Sequence, residues 1–414
     1  MKRIVNAAAV LLFGLMFLQL AEGQTYSVIH SFTGGPDGAN PLAGLAMDQV
    51  GNLYGTTSLG GQGRGTVYKL APRGGGWIFT PVYQFQGATD GKYPEAGVTI
   101  GPDGLLYGTT FYGGNTFTAC LQGSEETCGT IFRLQPKPTA CTGAICPWNE
   151  TQLYLGSQNP ALFFPNAGEL IFDSAHNFYG VSFQGGSTVL GAVYELSPSG
   201  EGWTVSTLYN FMTQNGYSPL GGVIFGPGGV LYGTTYGNGQ SPDTYGIAYQ
   251  LTPSGSGWTE TILHVFEDGS DGAWPKAGLT MDSAGNLYGT TSGGGPNSGG
   301  TVFELSPSGG GWNFSVLHSF NGPPNRGSFG PLLSDPAGNL YGTTLAGGAS
   351  QQGAVFKLTN SGGVWTYTSL HDFTGGADGR SPYGHLLLDS SGNLYGTAGW
   401  GGNADSGVVW KIAP

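Results

Sequence analysis

"NLYGTTSLGGQGRGTVYKL", residues 52–70, is written again six times along the chain, as in "LLYGTT", "NFYGVS" and "VLYGTT". The tyrosine of the phrase falls at Tyr54, Tyr107, Tyr179, Tyr232, Tyr288, Tyr341 and Tyr395. A repeat of about 50 residues built from strand-like units indicates a propeller or a solenoid. The fifth copy shows its parts well: "AGLTMD" (277–282), "GNLYGTTS" (285–292), "GTVFELSP" (300–307) and "WNFSVLHSF" (312–320). These read as four strands, a to d, with an apolar innermost strand and an alternating outer one. One such sheet cannot bury both its faces, so neighbouring copies must stack.

A tryptophan opens strand d at Trp77, Trp148, Trp203, Trp258, Trp312 and Trp365, six times and not seven. After "GVVWKIAP" no chain remains for the seventh, yet "TYSVIHSF" (25–32) reads like "TYTSLHDF" (366–373). The two ends therefore complete one sheet together, which closes a ring and hides its edge strands. The expectation is an all-β, seven-bladed β-propeller of four-stranded blades over 24–414, closed by residues 25–32 beside residues 407–412. Within the phrase, the tyrosine ring packs between blades with its hydroxyl on a polar partner. The threonines favour a strand by β-branching. In "DSAGNLY" (282–288) the aspartate bonds its own turn.

The composition agrees: 79 glycines, 13% aromatic and 9% charged residues suit short strands and tight turns rather than long helices. The start, Lys2 and Arg3 followed by an apolar run to Leu20 and "AEG", reads as a secretory signal over 1–23. Its removal makes the formal charge of −12 one unit more negative. Such a surface repels phosphate backbones and anionic lipid, so neither nucleic acid nor membrane insertion is expected. The mature chain is expected to be a monomer, secreted or periplasmic. Four cysteines, Cys120, Cys128, Cys141 and Cys146, lie in an insert at about 115–147. The strand "GTIFRLQP" separates the two pairs, so local disulfides 120–128 and 141–146 are expected, the spacings being wrong for a Cys₄ zinc site.

The segment "DSAGNLYGTTSGGGPNSGGTVFELSPSGGGW" resembles the GloVer tandem repeat of secreted bacterial proteins, and the likeness runs over the whole mature chain. The third copy departs, with "NFYGVS". The resemblance implies export and carries no catalytic residues. More loosely, the spacing of Tyr, a Gly pair, an aromatic and Trp is similar to kelch blades.

In such blades the b–c loops and the d–a crossovers emerge on one face, where function is expected. His30, His264, His318 and His371 share a column with Tyr83, Tyr154 and Tyr209, which asks for a flat ring with a polar tip and not for a metal ligand. His176 replaces a turn glycine. In the column Gly44, Gly97, Glu169, Gly222, Gly278, Pro331 and His385, two entries break a Gly/Pro rule. Glu169 and His385 should sit on roughly opposite sides of the channel mouth, as an acid/base pair, as a pair holding a cation, or as a pair bland in function. Asp37, Asp90, Asp268, Asp271 and Asp378 occupy Asp-Gly crossovers, where calcium is conceivable although no D-x-D-x-D-G loop occurs; no other cofactor or metal is expected. Tyr93 and Trp274 precede a crossover proline, and Trp400, Tyr112, Phe111, Tyr236 and Tyr245 flank b–c loops. Together they suggest an aromatic platform for sugar rings. No G-x-S-x-G elbow, Walker loop, H-E-x-x-H or C-x-x-C-H occurs.

Three functions follow. The first is an exported binding module for a glycan or another extracellular or envelope ligand, proteins included. The second is a lyase or hydrolase of polysaccharides using Glu169 and His385. The third is a structural or protein-interaction ring.

Overall fold

In the copies "DSAGNLY" and its like, the aspartate organises everything within reach. Asp282 Oδ1 accepts the amides of Ala284 and Asn286, both at 2.9 Å, while Oδ2 accepts Asn286 Nδ2 at 2.8 Å and the Tyr288 hydroxyl at 3.1 Å. The same tyrosine-to-aspartate bond joins Tyr54 to Asp48, Tyr107 to Asp103, Tyr179 to Asp173, Tyr341 to Asp335 and Tyr395 to Asp389. Burial alone would push the Asp282 carboxyl up, but these hydrogen bonds outweigh it and hold the group below its ordinary value. The fourth copy writes "GPGG" in place of the aspartate turn, and a short 3₁₀ turn, Pro227–Gly229, stands there instead.

The computed structural model describes residues 24–87, 89–114, 128–137, 148–155, 162–163, 167–200, 202–237, 245–255, 257–322 and 327–414. The expected signal segment lies outside them, as do Cys120, Cys141 and Cys146. Seven four-stranded antiparallel sheets are arranged as a seven-bladed β-propeller. In the fifth, Thr280–Met281, Leu287–Thr290, Ser298–Ser308 and Gly311–Asn321 lie side by side in chain order. The innermost strand pairs for two residues only, where the sequence led us to expect six. Its upstream end leaves its own sheet for the axis: a Cβ on Gly221 would meet the Ala277 carbonyl carbon at 2.1 Å.

The seventh sheet is built from both ends of the chain. Thr25–Ser31 pairs antiparallel with Val408–Ala413, with Ser27 opposite Lys411 and Tyr26 opposite Ile412. In three copies the inner strand is stitched to the next blade by the first threonine of the phrase, whereas the Thr109, Thr290 and Thr343 hydroxyls at the same position are buried without a hydrogen-bond partner. The Thr56 hydroxyl donates to Ala96 O at 3.0 Å, Thr234 to Ala277 O at 2.8 Å, and Thr397 to Ala43 O at 2.8 Å, the last across the closure. The repeated tyrosine packs edge-on against the next blade's strand-d tryptophan, as in Tyr54–Trp148 and Tyr395–Trp77, with ring centroids 6.3 and 6.0 Å apart. Such aromatic pairs add about 0.5–1.5 kcal/mol beyond the area they bury.

Among the described residues no helix is long and apolar enough to cross a membrane. Cys128 is fully buried beside Phe111, Tyr112 and Phe183, and no described cysteine is free.

Candidate functional site

The two loop sets do share one face and are hydrogen-bonded to each other there. Isolated bridges join crossover to b–c loop within a blade, such as Lys92 with Tyr112, Ala273 with Gly293 and Arg380 with Trp400. The residue before the crossover proline sits in the left-handed region in five copies, at φ between 54° and 57° for Asn40, Tyr93, Ser218, Trp274 and Ser381. Backbone bonds on both sides hold it. The Tyr93 amide donates to Arg64 O of the preceding blade at 2.9 Å, and its carbonyl accepts the Phe111 amide at 3.0 Å. Trp274 is clamped likewise between Tyr245 and Ser292. This clamp fixes where the next few residues enter the axis.

Those next residues build an axial chamber of about 270 Å³. The residue just after the proline, or its equivalent, points into it from six described blades: Leu42, Glu95, Leu220, Lys276, Phe329 and Tyr383. Apolar side chains, Phe111 and Ile171 among them, make most of the remaining wall. The Phe329 and Tyr383 rings meet at 5.0 Å, and Lys276 Nζ stands 4.2 Å from the Phe329 centroid and 5.5 Å from that of Tyr236. Burial depresses the Lys276 ammonium to about 8 and raises the Glu95 carboxyl above its ordinary value. Glu95 stays open to chamber water, yet the concave wall around it removes much of the bulk solvent that would stabilise its charge. Burial, with the charge of Glu95 nearby, pushes the Tyr383 hydroxyl up to about 12.

Glu169 and His385 form the floor, and they touch. They stem from blades 3 and 7, on opposite sides of the ring as the sequence suggested, yet His385 Nδ1 and Glu169 Oε1 are ion-paired. His385 Nε2 also lies 3.1 Å from Leu45 O. Both partners are acceptors, so both ring nitrogens donate and the ring is the imidazolium. Burial opposes that charge, but Glu169 and the Leu45 carbonyl outweigh it and raise the His385 pKa above 6.5. The glycines of the column make room for the pair. A Cβ on Gly44 would fall 1.9 Å from His385 Nδ1, and one on Gly97 would fall 2.9 Å from Glu169 Oε1.

The other candidates take quieter places. Tyr93, Tyr112, Trp274, Tyr236 and Trp400 are all half-buried on the loop face, and none of them lines the chamber. Tyr93 and Tyr112 meet edge-on at 6.0 Å with Lys92 Nζ 5.7 Å from each ring, and Tyr245 meets Trp274 at 5.8 Å. The crossover aspartates hold their own loops. Asp378 accepts the Thr374 amide at 2.9 Å and faces His371 Nε2 at 3.2 Å, while Asp271 accepts Glu267 N at 3.1 Å and faces His264 at 3.0 Å. His30 faces Asp37 at 3.3 Å, and the Tyr83 hydroxyl donates to Asp90 at 3.0 Å, so His and Tyr fill one column for one task. His176 is exposed at a turn with φ 66°.

Sequence reasoning missed the column after the proline. Its signal was present: Leu, Glu, Leu, Lys, Phe and Tyr are five residue types at six equivalent positions, in a chain that otherwise repeats itself.

A closed seven-bladed ring with a chamber at its loop-bearing mouth defines the class, a propeller with an axial ligand-sized cavity. Residues 13–143, 114–329 and 311–414 match the model of the Gloeobacter/Verrucomicrobia repeat, and the chain belongs to that family. No curated protein matches. Solved propellers are similar in fold at low identity. A candidate 6-phosphogluconolactonase from Bacteroides uniformis has a TM-score of 0.50 at 13% identity, over 86% of this chain and 89% of that one. A gluconolactonase from Xanthomonas campestris gives 0.43 at 13% over 94% and 89%, and a candidate oxidoreductase (glucose dehydrogenase) from Thermus thermophilus 0.43 at 15% over 94% and 100%. At such identities the likeness concerns the fold alone.

Proposed function

We propose that this chain is an exported binding propeller that takes a glycan end or another small extracellular ligand into the axial chamber of its loop-bearing face. One observation carries the reading. The copies agree in strands and turns and disagree where their side chains converge on the axis, at Leu42, Glu95, Leu220, Lys276, Phe329 and Tyr383. A volume of about 270 Å³ lies just under the range of about 300–1,000 Å³ usual for ligand pockets, which suits one ring rather than an oligosaccharide in full. The half-buried rings at Tyr93, Tyr112, Trp274, Tyr236 and Trp400 would line the approach. Cleavage after residue 23 and disulfides 120–128 and 141–146 belong to the same reading, since export permits them.

The floor supports binding over catalysis. With both imidazole nitrogens committed, His385 has no lone pair to act as a base, and the pair braces blade 3 against blade 7. Screening the mature protein on a glycan array and by calorimetry tests the proposal. Binding lost in Tyr383→Ala, with an unchanged melting temperature, is the expected result. Binding that survives it would place the site elsewhere, and polysaccharide cleavage lost in Glu169→Gln would restore the enzymatic reading.

A further inference from the structure

The chamber floor is built against the rule of its own column. Where a threonine stitches its blade to the next, at Thr56, Thr234 and Thr397, that next blade carries glycine in the column: Gly97, Gly278 and Gly44. Where the hydroxyl is left without a partner, at Thr109, Thr290 and Thr343, the next blade carries Glu169, Pro331 and His385. A side chain at this position therefore goes with a lost bond between neighbouring blades. Glu169 and His385 break a local rule at that cost, which is the mark of a functional position.

Towards the chamber the pair is not symmetrical. His385 has one ring nitrogen on Glu169 Oε1 and the other at Leu45 O, so it has nothing left to offer. Glu169 gives one oxygen to the pair and keeps the second, which no described residue engages, and its side chain is 38% exposed where it lines the chamber. Among its side chains the floor thus presents one polar function, an acceptor whose charge the imidazolium behind it already balances. Above it the wall is mostly hydrocarbon and ring, with Leu42, Leu220 and Ile171 beside Phe329 and Tyr383. The two charged wall residues, Glu95 and Lys276, are engaged with other groups of the protein, Lys276 over the rings of Phe329 and Tyr236.

Ligands of different chemistry meet that floor differently. An ammonium gains Glu169 but meets the imidazolium close behind it, and a carboxylate meets Glu169 itself. A sugar must bury several hydroxyls against hydrocarbon in return for one acceptor. A neutral ring with one hydroxyl satisfies the acceptor and buries the rest of itself. We infer that the chamber takes a small neutral ring alcohol, its hydroxyl on the free Glu169 oxygen and its ring against Phe329 and Tyr383. This rests on the chamber being the binding site, with a small ligand in it rather than a glycan end. Two sources present that chemistry, a phenol and a saturated ring alcohol.

Calorimetry on the mature protein with matched probes decides it. 4-Methylphenol is set against its methyl ether, 4-methylbenzylamine and 4-methylbenzoate, and 4-methylcyclohexanol against its methyl ether; methyl glucoside and methyl galactoside stand for sugars. One of the two alcohols should bind about tenfold or more tighter than its ether, and tighter than the charged probes and the sugars. Whichever binds identifies the source. Glu169→Gly, which installs what four other blades carry in the column, should cut the preference over the ether to under about twofold. If that variant does not unfold cooperatively, the comparison of alcohol with ether in the unaltered protein decides alone. An ether or a charged probe that binds as tightly as the alcohol overturns this ligand class, and so does a preference that survives Glu169→Gly. Binding of the sugars alone, or of no probe, overturns it too. The chamber itself stands if Tyr383→Ala removes the binding seen, with these probes or on the glycan array, and falls if that binding persists.

Discussion

Six of the seven seams between blades fall into two kinds, and the displaced titratable groups in them respond oppositely to pH. In four seams a strand-d histidine stacks flat on the aromatic ring two residues past the next blade's tryptophan position. His30 lies 4.3 Å from Phe79, His264 3.8 Å from Phe314, His318 4.6 Å from Tyr367 and His371 3.7 Å from Tyr26. In two others the column holds tyrosine, and the facing position holds glutamate: Tyr83 with Glu150, and Tyr209, whose hydroxyl donates to Glu260 at 2.9 Å. Each glutamate has an Oε1 that is fully buried and unpartnered. Burial pushes both carboxyls up to about 7, for Glu150 with Asp90 adding to the effect. Burial lowers the pKa of His30, His318 and His371.

The signs then differ. A glutamate raised from 4.5 to about 7 contributes stability that is complete below 4.5 and lost as pH climbs towards 7. A histidine whose folded pKa is depressed contributes stability present above 6.5 and lost as pH falls through its folded value. The ring therefore has one set of seams that acid weakens and another that alkali weakens. Polar tips at these seams hold crossover loops; their cost is a pH window on stability.

The most drastic way to break this comparison is to delete residues 24–32, which removes Tyr26 and His30 and with them two histidine seams and a blade edge. The loss should exceed the few kcal/mol by which domains are stable, at about 5–15 kcal/mol in total, so cooperative unfolding should vanish. Adding the peptide back should restore it. Next in size, Glu150→Gln and Glu260→Gln should each stabilise the protein at pH 8 by about 1–3 kcal/mol and do little at pH 4, read by denaturant titration. Exchanging one seam for the other kind sharpens the contrast. Tyr209→His and Glu260→Phe should each destabilise alone, while the double variant should recover about 1 kcal/mol of coupling, as a new stacked pair. Smallest, His318→Tyr should flatten the acid limb of the stability profile by under about 1 kcal/mol near pH 5, with no change at pH 8.

The blades were legible because copies of one phrase reveal turns, strands and register together, and because "TYSVIHSF" betrayed the circular offset. Glu169 and His385 were legible as departures from a column that crowding restricts to glycine or proline. Their contact was not, since it depends on how far the inner strands close on the axis. The rings at Tyr93 and Trp274 were visible as departures too. Their burial was hidden in a clamp between the b–c loops of two blades, which one copy read alone does not show. The Tyr–Glu seams left a trace that needed pairs of copies: glutamate two residues past the tryptophan appears only after a copy with tyrosine in the histidine column.

All of this requires that the chain's two ends share a sheet. Antiparallel partners lie about 4.5 or 5.5 Å apart at Cα, and either separation permits a disulfide, whose usual range is about 4.4–6.8 Å. Ser27→Cys with Lys411→Cys, placed at facing positions, is therefore the direct measurement. Non-reducing digestion and mass spectrometry of the oxidised variant should recover one peptide joining residues 27 and 411. Both cysteines recovered unlinked, in protein that still unfolds cooperatively, would contradict the closed ring and the chamber it surrounds.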